Sequence, residues 1–242
     1  MPGLFDLPAP LFEWLNNYLT GLVPVPVAIA VWAVFTGILS MEIYRLISPQ
    51  QQIGRVKQEA NAARDRLVRF DGEIEAAWPV LKSMLGLSFI RIGIVLPATL
   101  LAAYPVLAAL VWLSSAYGHR FPLPGEQITV ETAPPRQARW IDPGQGHQYA
   151  RIQILRTAED AALEVPLPVP VTVIHKYAWW NFLIANPAGY LPADTRIDKI
   201  DIHLPERQLF TYGPEWLRGW EGIFLPVLFL AALVYKIVRH ID

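Results

Sequence analysis

Four histidines are the residues whose type and spacing come closest to a chemical motif. Imidazole is the commonest protein ligand for metals, and the four histidines follow one another at equal intervals along the chain. The residues around them share no pattern, however, and none stands at the short spacing to a second ligand that metal sites use. We therefore expect no metal site from these residues, which are His119, His147, His175 and His203.

The sequence also contains no motif for catalysis or for cofactor binding. The chain lacks the short motifs of phosphate-binding loops, serine hydrolases and zinc proteases, and no histidine lies inside a long apolar stretch to ligate haem. There is no cysteine, which excludes disulfides and iron–sulfur clusters. A net charge of -1 argues against nucleic acid as a partner. We expect no enzymatic activity, no cofactor and no nucleic-acid partner.

The composition instead indicates a membrane protein. Hydrophobic residues make up 53% of the chain and charged residues 17%, whereas soluble domains carry about 25% charged residues. A helix that crosses a bilayer needs about 20 mainly apolar residues. Three stretches meet this requirement, and for the third the alternative is a buried core helix of a soluble domain. The predicted spans lie in residues 22–47, 85–117 and 220–242.

The basic residues predict an orientation, because loops rich in Lys and Arg stay in the cytoplasm. The N-terminal segment has no Lys or Arg before Arg45. This places the N-terminus and residues 118–219 outside and the C-terminus in the cytoplasm, which in a bacterium means a multi-pass protein of the inner membrane with a periplasmic domain. The connection 48–84, placed in the cytoplasm, holds Arg55, Lys57, Arg64, Arg66, Arg69 and Lys82.

The segments beside the spans have patterns of their own. Residues 1–21 predict a short helix in the membrane interface, with a disordered lead-in as the alternative. The connection 48–84 carries apolar residues at alternating steps of three and four, which predicts a coiled coil; a solvated helical linker is the alternative. A bend is expected near residues 71–72 or 78–79. The candidate partner-binding residues of this seam are Ile53, Val56, Leu67, Phe70 and Ile74.

Residues 118–219 predict a β-rich, sandwich-like domain, because short alternating or β-branched runs recur between prolines. The predicted strands are 127–131, 149–155, 163–174 and 196–204. Prolines at every second position of the third run predict an edge strand or polyproline II. The aromatic patch with Trp179, Trp180 and Phe182 is either part of the domain core or a contact surface for a partner or the bilayer.

The membrane part resembles a known family. A span ends in the sequence YRLISP at residues 44–49, a charged helix follows at 50–59, and an amphipathic approach at 81–85 leads to a span with prolines. This order is similar to that of three-span members of the Oxa/YidC membrane-insertase superfamily. The resemblance implies an outer N-terminus, a cytosolic coiled coil and a hydrophilic groove, open to cytosol and lipid, that helps client segments to enter the bilayer.

Two functions are therefore expected. The first is a non-catalytic accessory or assembly subunit of a hetero-oligomeric inner-membrane complex, which contacts lipid and other membrane proteins through the spans, the coil and the aromatic patch. The alternative is an Oxa/YidC-like insertase or chaperone. A shared cavity formed by the polar residues of the spans would favour the alternative, and scattered positions would count against it. These candidate groove residues are Thr36, Ser40, Tyr44, Ser88, Arg91 and Thr99.

Overall fold

A computed structural model describes residues 2–68, 74–143, 148–155 and 163–240. Helices make up 55% of it, and a small region consists of antiparallel strands. The chain forms two compact units. The β unit comprises Met1–Ile29 and Ala108–Ile223, and the helical unit comprises Ala30–Leu107 and Phe224–Asp242.

Most of the helices follow runs rich in apolar residues and good helix formers, and prolines lie inside two of them. Pro10 in the first turn of α1 fits there because the first amides of a helix have no internal partner. In the described part of the chain the helices are α1 (Ala9–Thr20), α2 (Val25–Ile47), α3 (Gln50–Val68), α4 (Ile74–Tyr117), α5 (Glu215–Arg218) and α6 (Glu221–Val238).

Among the described residues, three helical segments are long and apolar enough to cross a membrane, namely Val25–Ile47, Met84–Tyr117 and Glu221–Val238. Such segments are compatible with a multi-pass membrane protein. The second of these segments corresponds to the predicted span 85–117, and it is the later part of α4, which begins at Ile74.

The helical unit is held together at points where small or polar residues meet. A Cβ added to Gly37 of α2 would lie 3.2 Å from the Leu228 carbonyl oxygen of α6, so glycine permits a close approach of the two helices. The Ser40 hydroxyl donates a 2.6 Å hydrogen bond to the Ala102 carbonyl oxygen of α4. These contacts join α2 to both other membrane-length helices.

The connection between the first two spans is helical over Gln50–Val68. Ile53 is buried and Val56 is half-buried, so the described start of the apolar seam faces protein. Phe70 and the bend expected at residues 71–72 lie outside the described residues. Leu67 and Ile74 belong to helices, but their side chains also lie outside the described part.

The β unit contains two three-stranded antiparallel sheets, with strand orders β1-β6-β5 and β2-β3-β4. Val130 of β1 pairs with Ile202 of β6, and Ile152 of β3 pairs with Val165 of β4. Aliphatic residues from both sheets form one core. The strands are β1 (Val130–Ala133), β2 (Ala138–Ile141), β3 (Ala150–Ile154), β4 (Leu163–Leu167), β5 (Val173–His175) and β6 (Lys199–Ile202).

The run predicted as one strand, residues 163–174, consists of β4 and β5, which belong to different sheets. The prediction of a single strand is therefore wrong. Pro168 and Pro170 stand between the two strands and lack the amide donors that a continuous ladder needs. β4, which contains Pro166, lies at the edge of its sheet, as the spacing of the prolines predicts.

The aromatic patch forms a 3-10 turn, Trp179–Phe182, at the surface of the β unit. Its anchor is the buried Asn181, whose side-chain oxygen accepts a 2.8 Å hydrogen bond from the Ala178 amide. Trp179 is 78% exposed and Phe182 is 54% exposed. The patch therefore contributes little to the core of the domain.

Candidate functional site

A cavity of about 430 Å³ in the helical unit brings together four of the six polar residues expected to line a groove. We call it the arginine cavity. One face of α4 supplies most of its wall, because the lining positions recur at steps of three and four residues. Its lining residues are Tyr44, Ile53, Ala60, Ser88, Arg91, Ile92, Val95, Leu96 and Thr99.

Among the described residues that line the arginine cavity, Arg91 is the only charged one. Its guanidinium has five N–H donors, and it forms no ion pair with a residue that the structure describes. The hydroxyls of Ser88 and Thr99 donate to the carbonyl oxygens of Met84 and Val95 within α4, at 2.9 and 3.0 Å. The guanidinium of Arg91 therefore has donors to spare for a bound molecule.

A second cavity of about 380 Å³ adjoins the first, since Tyr44 and Thr99 line both. We call it the lysine cavity because Lys236 of α6 lies in its wall. Ser40 lines this cavity but not the arginine cavity, and its hydroxyl is used in the hydrogen bond to Ala102. Lys236 is not among the candidate groove residues named from the sequence.

Thr36 is not part of either cavity. Its side chain is fully buried, and its hydroxyl donates a 2.8 Å hydrogen bond to the Trp32 carbonyl oxygen of the preceding turn. A threonine in a membrane helix satisfies its hydroxyl in this way when no outside partner is present. Thr36 thus lies among the groove candidates by sequence but apart from them in the structure.

Glu42, which is adjacent in sequence to Met41 of the lysine cavity, is occupied elsewhere. The Glu42 carboxylate accepts hydrogen bonds from the Arg45 guanidinium and from the Tyr235 hydroxyl of α6. The Arg239 Nε also contacts the Tyr235 hydroxyl, at 3.3 Å. Glu42 therefore joins α2 to α6. Its negative charge does not neutralise Arg91 or Lys236, the positive charges of the two cavities.

The seam and patch residues lie in different places. Ile53 lies in the wall of the arginine cavity, so α3 contributes to that site. Trp179, Trp180 and Phe182 belong to the β unit, where Trp180 also packs against the His175 ring with centroids 4.9 Å apart. The candidates named from the sequence thus form two separate surfaces.

The β unit has cavities of its own, the larger of about 930 Å³ and the smaller of about 740 Å³. His119 lines both, and His175 lines the smaller one. The His175 Nδ1 lies 2.6 Å from the Lys176 carbonyl oxygen. His147 lies outside the described residues. Within the described ranges no group of three or more His, Asp or Glu residues could hold a metal ion.

No protein-family model, no curated protein and no solved structure matches the chain. The site must therefore be interpreted from its own residues. A lone guanidinium, a phenol and two hydroxyls among aliphatic side chains can bind carbonyl oxygens, anionic groups or water, and apolar walls can hold an apolar segment.

Proposed function

We propose that the chain is a non-catalytic membrane protein that receives an apolar segment of a client protein at the arginine cavity and helps it to enter the bilayer. The proposal extends the resemblance to the Oxa/YidC superfamily. The observation that carries it is the clustering of Tyr44, Ser88, Arg91 and Thr99 in one cavity of the helical unit.

The cost of insertion explains why such a cavity is useful. A backbone that enters hydrocarbon before its hydrogen bonds are formed leaves each unpaired N–H and C=O unsatisfied, at several kcal/mol per group. The free donors of Arg91 and the water that a charged group holds provide partners for client carbonyl groups. The insertion barrier falls because fewer client groups lose all their partners at once.

The walls suit a client that is apolar on its side chains and polar on its backbone. Ile92, Val95 and Leu96 line the same cavity as Arg91, so an apolar side chain and a carbonyl oxygen find complementary surfaces within one site. Leu96 is 50% exposed, which leaves the wall accessible from outside the helix bundle. A client segment can enter and leave sideways.

The proposal includes an orientation. The connection that contains α3 carries more Lys and Arg than the N-terminal segment, which has none before Arg45. This difference favours the cytoplasmic side for the connection. Arg91 lies nearer to that end of its membrane-length segment, Met84–Tyr117, than to the other. The arginine cavity is thus proposed to open toward the cytoplasm, where newly made proteins arrive, and residues 118–219 are proposed to lie on the outer side of a bacterial inner membrane.

Reconstitution tests the proposal directly. Vesicles with and without the purified chain receive a newly translated single-span protein of moderate hydrophobicity, and insertion is measured by protease protection. We expect the chain to increase the protected fraction. Arg91→Gln should slow insertion about tenfold, which corresponds to about 1.4 kcal/mol of barrier. Lys82→Gln is the matched control, since Lys82 is an exposed cation of the same helix outside the cavity. Equal rates with and without the chain would refute the proposal.

Photocrosslinking locates the client. Leu96 lines the arginine cavity, whereas Leu101 of the same helix does not, and their exposed fractions are 50% and 54%. A benzophenone amino acid at position 96 should crosslink to the arrested client much more strongly than one at position 101. Equal crosslinking at both positions would place the client elsewhere on the helices.

A second candidate function is that of an accessory subunit of a larger membrane complex. One observation favours it: only 6% of the membrane-length window of α6 is buried inside the chain, so its flanks are available to helices of a partner. Purification in mild detergent followed by mass spectrometry tests this function. A stoichiometric companion would support it, and a chain that migrates alone would contradict it.

A further inference from the structure

Helix α1 is amphipathic, but its apolar side faces outward and not toward the rest of the protein. Leu11, Trp14, Leu15 and Tyr18 fall within an arc of about 100°, the width of an ordinary core-facing stripe, yet all four are exposed, Trp14 by 67% and Tyr18 by 70%. We call these four residues the α1 stripe. A surface helix of a water-soluble domain would turn this stripe inward.

The opposite side of α1 is largely polar, and only part of it packs against the rest of the β unit. Glu13, Asn16, Asn17 and Thr20 line the cavity of about 930 Å³. The buried Asn16 side-chain amide donates a 2.7 Å hydrogen bond to the Tyr117 hydroxyl at the end of α4. This fixed contact sets the rotation of α1, so the outward direction of the α1 stripe is determined by the fold.

Hydrogen bonds connect the segment before α1 to the aromatic turn. The Phe5 amide donates to the Leu183 carbonyl oxygen at 2.9 Å, and the Asp6 carboxylate accepts from the Ala185 amide at 2.6 Å. A Cβ added to Gly3 would lie 2.6 Å from the Ala185 nitrogen, so the two segments are in direct contact. The exposed rings of Trp179 and Phe182 therefore lie next to the start of the segment that carries the α1 stripe.

A third exposed aromatic segment precedes α6. Tyr212 is 88% exposed and Trp216 is 73% exposed. They belong to a loop that runs into α5, which contains Trp216, and its ends are joined where the Arg218 carbonyl oxygen accepts a 2.7 Å hydrogen bond from the Leu209 amide. The stripe precedes the membrane-length helix α2 in the chain, and this loop precedes α6.

We propose that the β unit rests on a phospholipid bilayer through these three segments, with the α1 stripe, the Trp179–Phe182 turn and the Tyr212–Trp216 loop immersed in the headgroup region. Trp and Tyr are the residues enriched at this depth, where an apolar ring and a polar N–H or O–H are both accommodated. The α1 stripe carries no charge. Two of the segments also lie within a few residues of a membrane-length helix, which favours lipid over a separate protein partner as the occupant.

Spin labels test the proposal, and the absence of native cysteine permits single labels on the full chain. Nitroxides at Leu11→Cys, Trp179→Cys and Tyr212→Cys are compared in phosphatidylglycerol–phosphatidylethanolamine vesicles with matched controls at Asn17→Cys of α1 and Asp194→Cys of the β unit, both exposed. A face that lies about 5–10 Å into the interface should make the first three labels several-fold more accessible to oxygen, and several-fold less accessible to a water-soluble nickel complex, than the controls.

Each alternative result overturns the proposal. Nickel access at positions 11, 179 and 212 equal to that of the controls would show a face exposed to water. Protection from both oxygen and nickel would show a face covered by protein. Since the three segments are separate in sequence, a variant that fails to fold at one position leaves the other two to decide. The result does not depend on insertase activity, so it can succeed or fail independently of the proposed function.

Discussion

The β unit and the membrane-length helices bury their apolar side chains to very different extents. In the β unit, Ile152, Ile174 and Ile200 are fully buried in one core, and ion pairs such as Arg151–Glu164 lie at its surface. In α6, Phe229 is 66% exposed and Leu230 is 58% exposed. The β unit thus has the pattern that water selects, whereas the helices need an apolar solvent for the same gain in free energy.

The largest change in the free energy of unfolding should come from a substitution that leaves a void in the core of the β unit. Ile152→Ala should lower the free energy of unfolding by about 2–5 kcal/mol, because it removes buried methyl groups and leaves a void. Leu100→Ala in α4 should have almost no effect, since Leu100 is 64% exposed and its side chain is expected to meet lipid or detergent in either case. Hydrogen exchange of the strand and helix amides in the full chain measures both. Equal losses would contradict the comparison.

A larger side chain at the contact between α2 and α6 should destabilise the helical unit. Gly37→Leu should cost about 1–3 kcal/mol, because the new side chain meets the α6 backbone at Leu228 and forces overpacking. Gly93→Leu is the matched control, since no heavy atom lies within 4 Å of a Cβ at Gly93. The free energy of unfolding in mixed micelles provides the measurement. A harmless Gly37→Leu together with a harmful Gly93→Leu would place the helix contact elsewhere.

A buried polar contact helps to attach α1 to the rest of the β unit. Asn16→Ala should cost about 1–3 kcal/mol, because the Tyr117 hydroxyl loses the amide that donates to it in a buried site. Asn17→Ala should be nearly neutral, since Asn17 is exposed. Amide exchange over α1 should become faster in the first variant only. Unchanged exchange in Asn16→Ala would mean that α1 is held by its membrane-facing side instead.

The smallest effect is electrostatic and lies at the surface of the β unit. Two hydrogen bonds from the Arg120 guanidinium, at 2.8 and 2.7 Å, and one from the Leu123 amide lower the pKa of Glu126 to about 2 from 4.5. Since the pKa is lowered in the folded state, the stabilisation is present above pH 4.5 and is lost as the pH falls toward 2. The Leu123 amide resonance should therefore titrate near pH 2, and Glu126→Gln should abolish this titration. A midpoint near 4.5 would contradict the contact.

The sequence was sufficient to predict the three membrane-length helices, because long uncharged runs have few alternative structures. It also predicted the edge position of β4, since alternate prolines cannot donate to two neighbours. It could not separate β4 from β5, because both share β-branched residues and the intervening prolines fit either an edge or a turn.

The candidate site was predictable only in its residue types. One cavity brings together Tyr44, Ser88, Arg91 and Thr99. Thr36 carries a hydroxyl group as well, but it donates a hydrogen bond to a carbonyl oxygen of its own helix. The difference depends on helix rotation, which is fixed by contacts such as that of Ser40 with Ala102. Lys236 could not be assigned to the site from sequence because it comes from a helix far along the chain.

The proline-bearing edge of the β unit has a consequence for crowding. β4 keeps a five-residue ladder with β3, so Pro166, which lacks an amide proton, leaves the outer rim of that sheet without a donor that an incoming strand would need. With that donor present, molecules at high density on one membrane surface would tend to pair through their exposed edge strands. The missing donor works against such pairing at this edge of the sheet.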